Sequence, residues 1–140
     1  MSIDPALLSR LVSAARTAQR RAYAPYSNFH VGAALYTDRG RIVGGCNVEN
    51  ASYGLTNCAE RVAIGRTVAD GAGTPMVCVV VGPKPEALLP CGACRQVLVE
   101  FNPDMQVICF GTEGEPAIYT ARELLPSSFD AAALDGRSKP

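Results

Sequence analysis

Met76-Val77-Cys78-Val79-Val80-Val81 is an unbroken apolar run dominated by β-branched side chains and closed by Gly82 and Pro83. Such a run reads as a strand covered on both faces, the setting of a parallel or central strand. After a proline-rich loop, Cys91 to Phe101 reads as a helix and Met105 to Phe110 as a second strand. That order favours parallel neighbours joined by a crossover. Upstream, Val31 to Thr37 and Arg41 to Val48 are β-rich and separated only by Asp38-Arg39-Gly40, whose glycine suits a positive φ, so they should pair as an antiparallel hairpin. Asp4 followed by Pro5 is an N-cap with proline at the first helical position, and Leu7, Leu11, Ala15, Ala18 and Ala22 continue near helical spacing, which predicts a helix over about residues 5 to 22. A second helix starts at Cys58, with Ala59, Val62, Ala63 and Val68 as its apolar face, and ends near Asp70-Gly71. Ala117 to Thr120 predicts a short edge strand and Ala121 to Leu125 a short helix. The fold class expected is α/β, a three-layer α-β-α sandwich around a mixed five-stranded sheet. It forms a single domain over 1–140, with about 127–140 as a partly ordered tail.

Apolar residues make up 48% of the 140 and charged residues 19%, so a core can form without the charge excess of a disordered chain. Thirteen basic residues balance thirteen acidic ones, which argues for a small uncharged ligand and against a polyanion or an anionic membrane. Arg10, Arg16, Arg20 and Arg21 on the first helix read as a solvated face rather than a nucleic-acid surface. No stretch approaches the roughly twenty apolar residues of a membrane span. The first ten residues lack the basic-then-apolar pattern of a signal peptide, which leads us to expect a cytoplasmic protein.

The six cysteines divide into two groups. Cys46, Cys78 and Cys109 sit in strand-like runs and read as buried packing residues. Cys91 and Cys94, in Pro90-Cys91-Gly92-Ala93-Cys94, lie three apart at a helix start, where both sulfurs point the same way and unpaired amides with the positive dipole end favour thiolate. A Cys-x-x-Cys alone serves redox enzymes, structural zinc and catalytic zinc equally well. Cys58-Ala59-Glu60, at the start of the preceding helix, adds a third sulfur and a carboxylate. Three protein ligands leave one coordination position open, and His30, the only histidine, has no paired partner to close it and reads as structural. An open zinc position lowers the pKa of a bound water from about 15.7 towards 7. Three thiolates leave zinc with a net negative charge, which opposes that ionisation unless Arg61, Arg95 or the helix ends compensate; Arg61 reads equally as a surface ion-pair partner. Glu60 stands where a general base and acid would be placed.

Cys-Ala-Glu followed about thirty residues later by Pro-Cys-x-x-Cys resembles the zinc nucleobase-deaminase signature in its all-cysteine variant. Pro25-Tyr26-Ser27-Asn28-Phe29-His30-Val31-Gly32-Ala33-Ala34, Gly45-Cys46-Asn47-Val48-Glu49-Asn50, Cys58-Ala59-Glu60-Arg61 and Pro90-Cys91-Gly92-Ala93-Cys94-Arg95-Gln96 resemble the small cytidine deaminases of pyrimidine salvage over nearly the whole chain. The resemblance implies one Zn²⁺ per subunit on Cys58, Cys91 and Cys94, with Glu60 shuttling protons. It implies Phe29 against the pyrimidine, Ala59 beside the substrate, and Asn47 and Glu49 on the ribose hydroxyls. It also implies a homotetramer in which Tyr53 and Phe129 complete neighbouring active sites. The implied reaction turns cytidine or 2′-deoxycytidine into uridine or 2′-deoxyuridine and ammonia, through attack at C4. Two alternatives are another cytosine compound, including a base in a polynucleotide, and a non-catalytic zinc module that binds a partner. Balanced charge opposes a polynucleotide, and Glu60 beside an open coordination position opposes a non-catalytic module.

Overall fold

The computed structural model of the chain describes residues 3–135. Helix α1 spans Pro5–Gln19, the hairpin strands β1 and β2 span Gly32–Thr37 and Ile42–Cys46, and helix α2 spans Ala59–Ala69. Strand β3, Pro75–Val81, is followed by helix α3, Gly92–Phe101, and strand β4, Gln106–Phe110. Strand β5, Ala117–Thr120, runs into the short helix α4, Ala121–Leu124, and α5, Ala131–Asp135, follows. The sheet order is β2-β1-β3-β4-β5, with only the β3/β4 pair parallel. The mixed five-stranded sheet is therefore as expected. Of the expected tail, residues 131–135 are helical, and 136–140 lie outside the described residues.

Alternation along the central strands builds the layers. Val77, Val79 and Val81 of β3, Ala34 of β1 and Ile108 of β4 pack with Leu11 and Ala15 of α1 on one face. Cys78, Val80, Ala33, Leu35, Val107 and Cys109 pack with Ala59, Ala63, Ile64, Leu98 and Val99 of α2 and α3 on the other. Val79, Val80 and Val81 are fully buried, and each such side chain contributes roughly 1.5–3 kcal/mol. Only a strand covered on both sides can use so apolar a sequence.

Several sequence expectations are corrected. Helix α1 stops at Gln19, not near residue 22, because the backbone of Tyr23 is engaged elsewhere: its N–H donates to Asn47 O at 3.0 Å and its carbonyl accepts from Glu49 N at 2.8 Å. The buried face of α2 is Ala59, Ala63 and Thr67 with Glu60 and Ile64, whereas Val68 is 60% exposed. Cys46, at the end of β2, is half-buried, while Cys78 and Cys109 are buried as expected. Arg16 is not a solvated arginine but a half-buried one bonded to backbone carbonyls.

Two adjacent glycines on β2 admit a helix on each face. A Cβ on Gly45 would stand 2.5 Å from Ala63 N and 2.6 Å from Ala59 O, so the α2 backbone lies directly on the strand, while a Cβ on Gly44 would meet Ala18 Cβ at an ordinary 3.6 Å. Gly45→Ala therefore displaces α2, with Cys58 and Glu60 at its start, and is expected to cost about 1–3 kcal/mol in urea unfolding, whereas Gly44→Ala stays within about 1 kcal/mol.

Candidate functional site

Sheet register brings the chemistry to one edge. Gly32 pairs with both Cys46 and Val81, so the start of β1, the end of β2 and the end of β3 lie side by side. Phe29 and Val31 precede β1, Asn47 and Glu49 follow β2, and the loop carrying Leu88 and Leu89 follows β3. Helices α2 and α3 both begin here. Cys58 is the N-cap of α2 and Cys91 the N-cap of α3, each with extended backbone, and neither side chain caps its own helix. Glu60 and Cys94 occupy the first turns. Two helix N-termini thus aim positive dipole ends at one cluster of sulfurs.

The Sγ atoms of Cys58, Cys91 and Cys94 all lie within 4.8 Å of one another, and Cys58 and Cys91 are 3.8 Å apart with no disulfide. Two sulfurs about 2.3 Å from one tetrahedral zinc would stand about 3.8 Å apart, so the donor set fits that ion in both chemistry and spacing. Cys58 is held down to about 5, through the hydrogen bond from the Cys94 thiol, opposed by partial burial and reinforced by Arg61 and Cys91. Cys94 is pushed up for the complementary reason, since it gives its proton to the Cys58 sulfur, and it is buried. Thiolate is thus favoured at Cys58, while Cys94 holds its proton until a metal displaces it.

Arg61 Nη2 donates to Cys58 Sγ at 3.3 Å, and its Nε is buried without a hydrogen-bond partner among the described residues. Arg95 is occupied elsewhere, with Nε on Pro90 O at 2.8 Å and Nη1 on Leu124 O at 3.1 Å. Of the two candidates, Arg61 is the one at the sulfurs. Glu60 is 4% exposed, and its carboxyl is raised to about 7, chiefly by burial, with the Cys58 charge adding to the rise. A divalent cation among the sulfurs would draw it back down.

Cys58, Cys91 and Glu60 line a cavity of about 220 Å³. Its apolar walls are Phe29 with Val31, and Leu88 with Leu89; Asn47, Thr56 and Ala59 complete it. Asn47 Oδ1 accepts from Val31 N at 2.9 Å and Nδ2 donates to Phe29 O at 2.8 Å, which fixes the first wall. Glu49 lines an adjoining groove of about 380 Å³ with Ser27 and Tyr53, and Thr56 borders both spaces. Its carboxylate accepts from Tyr26 N at 3.0 Å, Ser27 N at 3.2 Å and the Ser27 hydroxyl, the last of which does most to hold it below its ordinary pKa. Tyr53 is 76% exposed and Phe129 59%, and neither lines the 220 Å³ cavity. A larger depression of about 590 Å³, at the far ends of β3 and α3, contains no cysteine, so chemistry rather than volume selects the site. Sequence reasoning missed Thr56, Leu88 and Leu89. An apolar Ala87-Leu88-Leu89 run inside a proline-rich loop, immediately before Cys91, was the available signal.

The sequence profile of the cytidine and deoxycytidylate deaminase zinc-binding region matches residues 6–111. The chain belongs to this family. A cytidine deaminase of Halalkalibacterium halodurans is 44% identical over 126 residues, covering 89% of this chain and 96% of its own. One of Sporosarcina psychrophila is 42% identical, covering 91% and 94%. The crystal structure of cytidine deaminase from Burkholderia pseudomallei superposes with a TM-score of 0.83 at 48% identity, covering 86% of this chain and 98% of that one. The sandwich and its three-cysteine edge are those of a deaminase of this zinc-binding family.

Protons and metal compete for the same sulfurs, so zinc retention falls as pH falls. If Arg61 stabilises thiolate, Arg61→Gln raises the thiol pKa values and zinc leaves at a higher pH than in the wild type. Metal release followed with a chromophoric chelator during acid titration checks the direction; an unshifted or lower release pH contradicts it.

Proposed function

We propose that this chain catalyses hydrolytic deamination of cytidine and 2′-deoxycytidine, consuming water and releasing ammonia with uridine or 2′-deoxyuridine, as a salvage enzyme of the cytoplasm. The observation that carries the reading is a buried carboxylate and an open-sided trio of sulfurs at the wall of one apolar cavity, in a chain similar over its length to cytidine deaminases. Cys58, Cys91 and Cys94 are the residues that would hold zinc, which when bound lowers the pKa of a water towards neutrality. Glu60 takes a proton from the attacking water and delivers it to ring N3 as C4 is attacked, then takes the remaining proton from the new C4 hydroxyl and passes it to the departing amine, so that C4=O forms as ammonia leaves. A buried carboxyl at the wall of the cavity, raised by burial and lowered by a cation among the sulfurs, is suited to both accepting and donating.

The flat ring fits between the Phe29 and Leu88 walls, with Ala59 too small to obstruct it. Asn47 keeps one N–H beyond that given to Phe29 O, and Glu49 keeps acceptor capacity beyond its three loop contacts, so both can take ribose hydroxyls. The step from the inner cavity to the Glu49 groove matches the step from base to sugar. Exposed Tyr26, Tyr53, Leu55 and Phe129 support a homotetramer in which these side chains pack on neighbours and finish their sites.

Glu60→Gln should keep one zinc per chain and lose about 10²–10⁴-fold in cytidine turnover, followed by absorbance; wild-type turnover in that variant removes the proton-shuttle role. Purified protein should deaminate cytidine and leave cytosines in single-stranded DNA untouched. Light scattering should give four times the 14.7 kDa chain mass, and a monomer would contradict the shared-site assembly.

A further inference from the structure

Two half-buried polar side chains on α1 are not used by the chemistry above. Arg16 sends Nη2 to Gly111 O at 2.7 Å, and Nη1 to Gly82 O at 3.2 Å and Gln19 Oε1 at 3.1 Å. Gln19, one turn on, donates Nε2 to His30 O at 3.0 Å. Arg16 has no carboxylate partner among the described residues, so its positive charge is spent on carbonyl and amide oxygens alone. Its place in the last turn of α1 suits the dipole, and its planar fork can hold carbonyls from two neighbouring strands at once.

The residues gripped are those that seat the cavity walls. Gly82 and Gly111 directly follow β3 and β4, and the loop carrying Leu88 and Leu89 folds back on both. A Cβ on Gly111 would lie 2.1 Å from Pro85 O, and one on Gly82 would lie 2.8 Å from Leu88 Cβ. Thr112 N donates to Lys84 O at 2.8 Å and Glu113 N to Pro85 O at 3.3 Å, tying the same loop to the residues after Gly111. His30 sits between Phe29 and Val31 of the other wall. From the far face of the sheet, α1 thus holds both segments that line the cavity.

We propose that Arg16 and Gln19 are positioning residues: a brace on α1 that fixes the Leu88–Leu89 wall through Gly82 and Gly111 and the Phe29–Val31 wall through His30, and so sets affinity for the cytosine ring. The proposal rests on the reading that the ring occupies this cavity. Neither residue touches the sulfurs, so the brace acts on binding and leaves the proton transfers alone.

Arg16→Lys keeps the charge and loses the fork, while Gln19→Leu keeps the volume and loses only the amide contacts. In the zinc-loaded protein, Arg16→Lys should raise KM for cytidine about tenfold while kcat stays within about threefold, since hydrogen bonds to a charged group are worth about that factor or more. Hydrogen exchange, which needs no activity, should quicken at the Gly82, Thr112 and Glu113 amides in Arg16→Lys. In Gln19→Leu it should quicken most at Phe29 and Val31 and much less at the first set, since Arg16 loses its Gln19 Oε1 contact but keeps both carbonyls. If Arg16→Lys does not fold, the side-specific pattern in Gln19→Leu decides. A lowered melting temperature with unchanged KM, or exchange that quickens evenly over the sheet or at neither wall, overturns the brace. Wild-type protein that leaves cytidine intact would sink the functional reading alone, and the exchange pattern would still decide the brace.

Discussion

Three sulfurs that repel one another as thiolates are brought within 4.8 Å by two helices that begin 33 residues apart in the chain, counted from Cys58 to Cys91. That convergence is the constraint on which the site depends. It is obtained by setting both helix N-termini on the same edge of one sheet, where each contributes unpaired amides and a positive dipole end, and by laying α2 directly on the β2 backbone at Gly45. Arg61 adds a full positive charge at the Cys58 sulfur. The fold thereby offsets the charge cost of three thiolates before any cation arrives.

The same edge separates two electrostatic settings only two residues apart. Cys58 is lowered by hydrogen bonds, whereas Glu60 is raised because burial outweighs the contacts that favour its charge. Asn47 and Glu49, two residues apart just beyond the end of β2, show a comparable division. Asn47 is buried and clamps the Phe29–Val31 backbone, while Glu49 stays ionised against the Tyr26–Ser27 loop. The inner cavity and the groove that carries the Glu49 carboxylate then adjoin at Thr56.

Much of this is legible in the sequence. The Met76–Val81 run reads as a doubly covered strand, which holds for Val77 to Val81 but not for the exposed Met76, Asp38-Arg39-Gly40 reads as a hairpin turn, and Cys58-Ala59-Glu60 with Cys91-x-x-Cys94 carries the metal chemistry in its spacing. What escaped depends on tertiary contact. The rotation of α2 that buries Ile64 and Thr67 and exposes Val68 is set by Gly45 beneath Ala59 and Ala63, and nothing within the helix reports it. The end of α1 is set by the backbone of Tyr23 bridging to the segment Asn47–Glu49 just after β2. Arg16 reads like any surface arginine because the partners that bury it, Gly82 O and Gly111 O, are backbone carbonyls, which no side-chain pattern encodes.

The chemistry requires a zinc ion on three sulfurs with its remaining position left for solvent. X-ray absorption at the zinc edge of the purified protein measures it most directly. The expected result is one zinc per chain with three sulfur neighbours at about 2.3 Å and one lighter neighbour at about 2.0 Å. Four sulfur neighbours, or a metal-free protein whose Cys58 and Cys91 are joined as a disulfide, would contradict it.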